Sequence, residues 1–187
     1  KNVSFKYDDE YILKDFSFEI SKPGLYAIVG ENGSGKTTIF NLISKLYTNY
    51  EGEILINDNE ISDIKDEDLR DEVLFIESKP FILRENLNSN ITLLEKNKVD
   101  EPYLEKITQF LELERIEKYS TKNLKDTLSK GEQQKIQLAR MMIGRYSLIL
   151  LDEVLSGLDQ EIKKKAISKI KEKSKNNIVV MISHDHE

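Results

Sequence analysis

The chain has 187 residues, 39% hydrophobic and 33% charged, with a formal net charge of −6. That suffices for one domain with a real core and a polar surface, and the absence of cysteine excludes disulfides, zinc–thiolate sites and thiol nucleophiles. No apolar run approaches the roughly 20 residues that cross a bilayer, the sequence does not open on a signal-peptide pattern, and the acidic balance leads us to expect no nucleic-acid partner.

Alternation predicts strands over 2–7, 12–20 and 25–29. The first begins with no lead-in, and the last residues follow an apolar run directly, so the chain is expected to be part of a longer protein. Leu25–Val29 is the short apolar run of a buried parallel strand, entered through Pro23-Gly24. Residues 30–37 then read Gly-Glu-Asn-Gly-Ser-Gly-Lys-Thr, a full match to G-x-x-x-x-G-K-[ST]. A helix from Lys36 to about Tyr47 comes after it, with Ile39, Leu42, Ile43 and Leu46 on one face. Strand, glycine loop and helix together point backbone N–H groups and the positive end of a helix dipole at a phosphate. Gly30, Gly33 and Gly35 let the backbone curl, Lys36 reaches outer phosphates, and the Thr37 hydroxyl suits Mg²⁺. The expected ligand is a nucleoside triphosphate.

Ile54–Ile56 and the Asn57-Asp58-Asn59 turn predict a hairpin arm. A short charged helix closing at Leu69-Arg70 and a buried strand at Val73–Ile76 come next. From Pro80 to about Leu128 the stretch is helical and polar, with Leu104, Ile107 and Leu111 on one face. Ser129 is placed to cap a helix over 132–144, whose first-turn N–H groups could receive an anion. Leu148–Leu151 and Ile178–Ile182 are continuous apolar runs of central parallel strands. The first ends in Asp152-Glu153, acidic residues where open α/β sheets bind ligands. Asp152 there suits an Mg²⁺ shell and Glu153 a water attacking the γ-phosphate. The lysines between Lys163 and Lys175 are read as the solvated face of a helix striped by Ile162, Ala166, Ile167 and Ile170. The fold class is α/β, with a mostly parallel core sheet, an antiparallel β portion and an inserted helical portion.

Together these residues resemble the ATP-binding-cassette ATPases over nearly the whole chain. Gly30–Thr37 resembles Walker A, and Leu148–Glu153 resembles Walker B with its adjoining glutamate. Leu128-Ser129-Lys130-Gly131-Glu132 resembles the signature, Ser156–Asp159 the D-loop, His184 the switch histidine, and Tyr7 the ring stacked on adenine. The resemblance implies a P-loop NTPase domain over 1–187: a RecA-like core with β subdomain at 1–79 and 129–187, and a helical subdomain at about 80–128. It implies ATP and Mg²⁺ as cofactors. The nucleotide would be met by Tyr7, Gly30, Glu31, Asn32, Gly33, Ser34, Gly35, Lys36, Thr37, Thr38, Glu77 and Asp152, and across a dimer by Ser129, Gly131, Glu132 and Asp159. Thr37, Glu77 and Asp152 would serve the metal, and Glu153, His184 and Lys36 catalysis. A second cassette would close each site head to tail, and a transmembrane domain on the same or another chain would place the domain on the cytoplasmic face of a membrane.

Ile61–Ile64 with Leu69-Arg70, then Pro80–Leu83 with Leu87 and Asn90-Ile91, resemble the segments around the Q-loop of exporter-type cassettes. Three departures accompany this. Glu77 stands where glutamine is usual, Lys130 and Glu132 where glycine and glutamine are usual, and Ser120–Thr127 lacks the usual glycine-containing, glutamate-rich loop. The expected function is ATP hydrolysis powering export. The alternatives are a soluble cassette ATPase and a regulatory ATP-binding module with little turnover.

Overall fold

The computed structural model describes residues 1–93, 99–117 and 124–182. It divides into two compact units: Lys1–Phe75 with Tyr146–Asp152 and Ser174–Glu187, and Ile76–Arg145 with Glu153–Lys173.

The first unit is built on a four-stranded sheet of order β3-β8-β7-β6, comprising Gly24–Ile28, Ile178–Ile182, Leu148–Asp152 and Val73–Ile76. β3, β8 and β7 run parallel. Ile149, Leu150, Leu151 and Val179 are fully buried, which is why β7 and β8 read as unbroken apolar runs instead of alternating ones. β3 alternates, with Tyr26 and Ile28 turned to the core and Leu25 exposed, as an edge strand does. Ile28 and Asp152 both pair with Ile182, so this register makes β3 and β7 end level at the carboxyl edge of the sheet.

Helix α1 (Lys36–Ile43) packs on this sheet through Phe40, which is fully buried among Ile61, Leu69, Val73, Leu150, Val180 and Ile182. The Phe75 ring meets Phe40 nearly perpendicular at 5.7 Å. The other side of α1 gives Ile39 and Leu42 to a second cluster with Val3, Phe5 and Leu13 of the antiparallel pair β1 (Val3–Lys6) and β2 (Tyr11–Phe16). The short hairpin β4–β5 (Leu55–Ile56, Asn59–Glu60) turns at Asn57 and Asp58 with φ of 50° and 63°, the left-handed pair that a tight hairpin demands. α2 (Asp66–Glu72) leads into β6.

The second unit is helical: α3 (Leu87–Thr92), α4 (Glu101–Phe110), α5 (Glu114–Glu117), α6 (Leu124–Thr127), α7 (Lys130–Ile143) and α8 (Gln160–Lys173). α7 packs on α3 and α4 with Ile136, Leu138, Ala139 and Met141 fully buried. Buried polar groups knit the preceding loop to these helices. Asn90 accepts from the Leu83 N–H at 2.7 Å and donates to the carbonyls of Leu83, Glu85 and Asn86. Arg140 donates to the carbonyls of Asn90 and Phe81, each at 2.8 Å. In α8, Ile162, Ala166 and Ile170 are buried. Its lysines are engaged more than a solvated face requires: Lys165 meets Glu112 and Glu161, Lys169 meets Glu172, and Lys173 donates to the Gly144 carbonyl. Burial lowers the Lys173 ammonium pKa.

Two element boundaries fall short of the periodicity in the sequence. α1 stops at Ile43 because Lys45 turns left-handed (φ 54°) and the Leu46 N–H returns to the Asn41 carbonyl, so Leu46 sits 56% exposed outside the helix. The Lys45 ammonium is drawn instead to the Ile64 carbonyl and the Asp66 carboxylate. β2 ends at Phe16, one residue after left-handed Asp15 (φ 49°), where the pairing with β1 shifts register. Among the described residues no helix is long and apolar enough to cross a membrane.

Phe40→Ala leaves a large cavity beneath the sheet and is expected to cost about 3–5 kcal/mol. The melting temperature should fall by roughly 10 °C; a shift under about 2 °C would show that α1 is not held by this contact.

Candidate functional site

β3 hands directly into the glycine loop, and the loop closes on Lys36, the first residue of α1. The Lys36 side chain is 8% exposed and its ammonium donates to the carbonyls of Gly30 at 2.8 Å and Glu31 at 2.7 Å. A buried ammonium must find acceptors, and here the loop's own backbone supplies them. Gly33 and Gly35 sit at φ of 81° and 87°, a region costly for any residue with a Cβ. Gly35 has a second constraint, since a Cβ there would lie 2.9 Å from Leu13 and 3.0 Å from Ile12. The loop is braced by the Ser34 N–H to the Glu31 carbonyl, and α1 begins with Ile39 N–H to the Gly35 carbonyl.

Thr37 and Asp152 come from opposite ends of the chain. The level ends of β3 and β7 bring them together, and the Thr37 hydroxyl donates to Asp152 Oδ2 at 2.9 Å. Asp152 is 3% exposed. Tyr7 joins the same unit, its hydroxyl 3.1 Å from Thr38 Oγ1. Tyr7, the loop from Gly30 through Glu31, Asn32, Gly33, Ser34 and Gly35 to Thr38, and Asp152 therefore belong to one unit.

The remaining candidates lie in the second unit or beyond the described residues. Glu77 presents its carbonyl to Gln137 Nε2 at 3.2 Å. Ser129 caps α7 in a complete capping box: its hydroxyl and its N–H both donate to Glu132 Oε2, at 2.7 and 2.8 Å, while Glu132 N–H returns to Ser129 Oγ. The hydroxyl proton of Ser129 is thus already given to Glu132. Gly131 allows close approach, because a Cβ would stand 3.1 Å from the Gly157 carbonyl. Asp159 caps α8, accepting from Ile162 and Glu161 N–H at 2.9 and 3.1 Å. The bond from Ile162 leads in holding its carboxyl pKa below the usual value.

Glu153 comes directly after Asp152 and adopts φ 50°. A non-glycine residue held left-handed at a strand end is a strained position of the kind found at functional sites. The sequence does not announce that conformation. Val154 behind it is buried. His184 lies outside the described residues.

Residues 13–156 match the family described as ABC transporter. The chain is 32% identical over 195 residues to the ATP-dependent lipid A-core flippase of Haemophilus influenzae, aligning 98% of this chain with 33% of that protein. It is 29% identical over 191 residues to the microcin-J25 export ATP-binding/permease protein McjD of Escherichia coli, covering 98% of this chain and 34% of the relative. A solved structure of a bacterial Atm1-family ABC exporter with ATP bound superposes with a TM-score of 0.86 at 25% identity, over 98% of this chain and 34% of that one. The chain thus spans about a third of the length of these relatives. A glycine loop closed on its own lysine, an acidic strand end beside it and these matches lead to one conclusion: the chain belongs to the ABC transporter family, as an ATP-binding, ATP-hydrolysing domain.

Proposed function

We propose that this domain drives export as the nucleotide-binding part of an exporter-type transporter, working at the cytoplasmic face of a membrane with a transmembrane domain and a second cassette as partners. The observation that carries the reading is the phosphate loop, with Lys36 anchored to the Gly30 and Glu31 carbonyls and the Thr37 hydroxyl beside Asp152. The relatives named as export and flippase proteins support the transport role over a soluble ATPase or a regulatory module.

An ammonium has three donors, and the loop occupies two in Lys36, leaving one for a phosphate oxygen. Backbone N–H groups of the loop and the start of α1 add positive potential around the same point. The Thr37 hydroxyl and Asp152 carboxylate are adjacent hard oxygen donors, which suits Mg²⁺, an ion that completes its shell with water and substrate phosphates. Among the described residues no cluster of three His, Cys, Asp or Glu forms an all-protein metal cage, as a substrate-bridging ion does not need one. When bound, Mg²⁺ would neutralise charge on the transferred phosphoryl group. Glu77 is the further metal-facing candidate.

Glu153 would orient and deprotonate the attacking water, and His184 would hold the γ-phosphate. In a head-to-tail pair, Ser129, Gly131, Glu132 and Asp159 would meet the partner's nucleotide. For Ser129 to donate there, its hydroxyl has to leave Glu132 Oε2. Splitting the anion site between two chains makes closure depend on the γ-phosphate. The domain division carried by this reading is a core at 1–79 and 129–187 with helices at about 80–128.

Glu153→Gln should reduce the ATPase rate about 10²- to 10⁴-fold while ATP still binds, as read by steady-state phosphate release and equilibrium titration. Equal rates for wild type and variant would end the assignment. Glu77→Gln should change the ratio of Mg²⁺- to Mn²⁺-supported rates. The same ratio in both proteins would remove Glu77 from the metal.

A further inference from the structure

Tyr7 carries an exposed ring that is nevertheless held at three points. The side chain is 48% exposed. Its ring meets Phe5 at 5.0 Å and 88°, and Tyr47 at 5.3 Å and 83°, both perpendicular contacts. Its hydroxyl sits 3.1 Å from Thr38 Oγ1, in the first turn of α1. Phe5 is 2% exposed and anchors the group to the core, whereas Tyr47 is 37% exposed. An exposed tyrosine ordinarily samples several rotamers within nanoseconds. Restraining one costs side-chain entropy and brings little burial in return, so the restraint is better explained by what the ring must meet than by folding.

We propose that Tyr47 and the Thr38 hydroxyl are positioning groups that hold the Tyr7 ring at a fixed distance and tilt from the phosphate loop. The inference rests on the reading of Tyr7 as the platform for the nucleotide base. Thr38 is the neighbour of Thr37, so the tether links the base platform to the same helical turn that faces the phosphates. A nucleotide has a short, nearly fixed span from triphosphate to base. A ring pre-set at that span binds the base without an ordering cost at the moment of binding. Tyr47 is the added residue here: its ring backs Tyr7 and also packs on Phe5 at 5.4 Å, which ties it to the same core anchor.

The test compares ATP with inorganic tripolyphosphate, which has the phosphates and no base. Both are titrated with Mg²⁺ into the intact protein and its variants. Tyr7→Phe keeps the ring and removes the tether. Tyr47→Leu removes the perpendicular backing ring, and Tyr47→Phe keeps it. Tyr7→Ala removes the platform. The ratio of ATP to tripolyphosphate affinity should fall about three- to tenfold in Tyr7→Phe, the scale of one neutral hydrogen bond. It should fall by a similar factor in Tyr47→Leu and recover in Tyr47→Phe. A general loss of folding would weaken both ligands and leave the ratio in place. If Tyr7→Ala lowers the ratio while Tyr7→Phe and Tyr47→Leu do not, the platform stands and the positioning inference is overturned. If Tyr7→Ala leaves the ratio unchanged, the platform reading itself fails and takes the inference with it.

Discussion

The fold of residues 30–37 depends on one charge. Lys36 cannot be buried unless its ammonium is given acceptors, and the nearest available are the carbonyls of Gly30 and Glu31. Reaching them curls the loop back on itself, which in turn requires left-handed backbone at Gly33 and Gly35. An anion entering this cup replaces solvent in a site already organised for it, so little of its binding energy is lost to reorganisation. On the proposed reading, the fold that satisfies a buried lysine also prepares the loop to receive an anion.

The sheet gives that receptor its acidic neighbour. Because β3 and β7 both end against Ile182 of β8, Asp152 arrives beside Thr37 without any specific loop to carry it there. The next residue, Glu153, departs from the strand with a left-handed backbone. The remaining described candidates belong to the second unit, where Ser129, Glu132 and Asp159 are each committed to helix caps. Capping and anion binding use the same orphan N–H groups of a helix start. At the start of α7 this gives the Ser129 hydroxyl to Glu132, so an anion approaching those N–H groups would compete with that bond.

How much could be read from the sequence depends on how local each constraint is. The phosphate loop was legible because glycine and lysine spacing alone dictates its geometry. The inner strands were legible because burial on both faces leaves an apolar run with no alternation. Other features depend on contacts the sequence does not display. Leu46 fits the helical period of α1, yet Lys45 leaves the helix with no glycine or proline to signal it, drawn by Ile64 and Asp66. Asn90, Gln137 and Arg140 look like surface residues of a polar stretch, and their burial becomes intelligible once backbone groups of the preceding segment are seen to meet them. Tyr47 is inconspicuous until the chain brings it to Tyr7. The capping box was half visible: Ser129 reads as a cap, but the return bond from Glu132 appears only in the folded helix.

The central claim is that Lys36, anchored by its own loop, is the group that receives the triphosphate. Equilibrium titration of ATP with Mg²⁺ into wild type and Lys36→Ala, with circular dichroism to confirm that both are folded, tests it most directly. The account predicts a loss of at least about tenfold in affinity, since a charge-assisted contact contributes about 1.5–3 kcal/mol. A folded Lys36→Ala protein that binds ATP as tightly as wild type would contradict it.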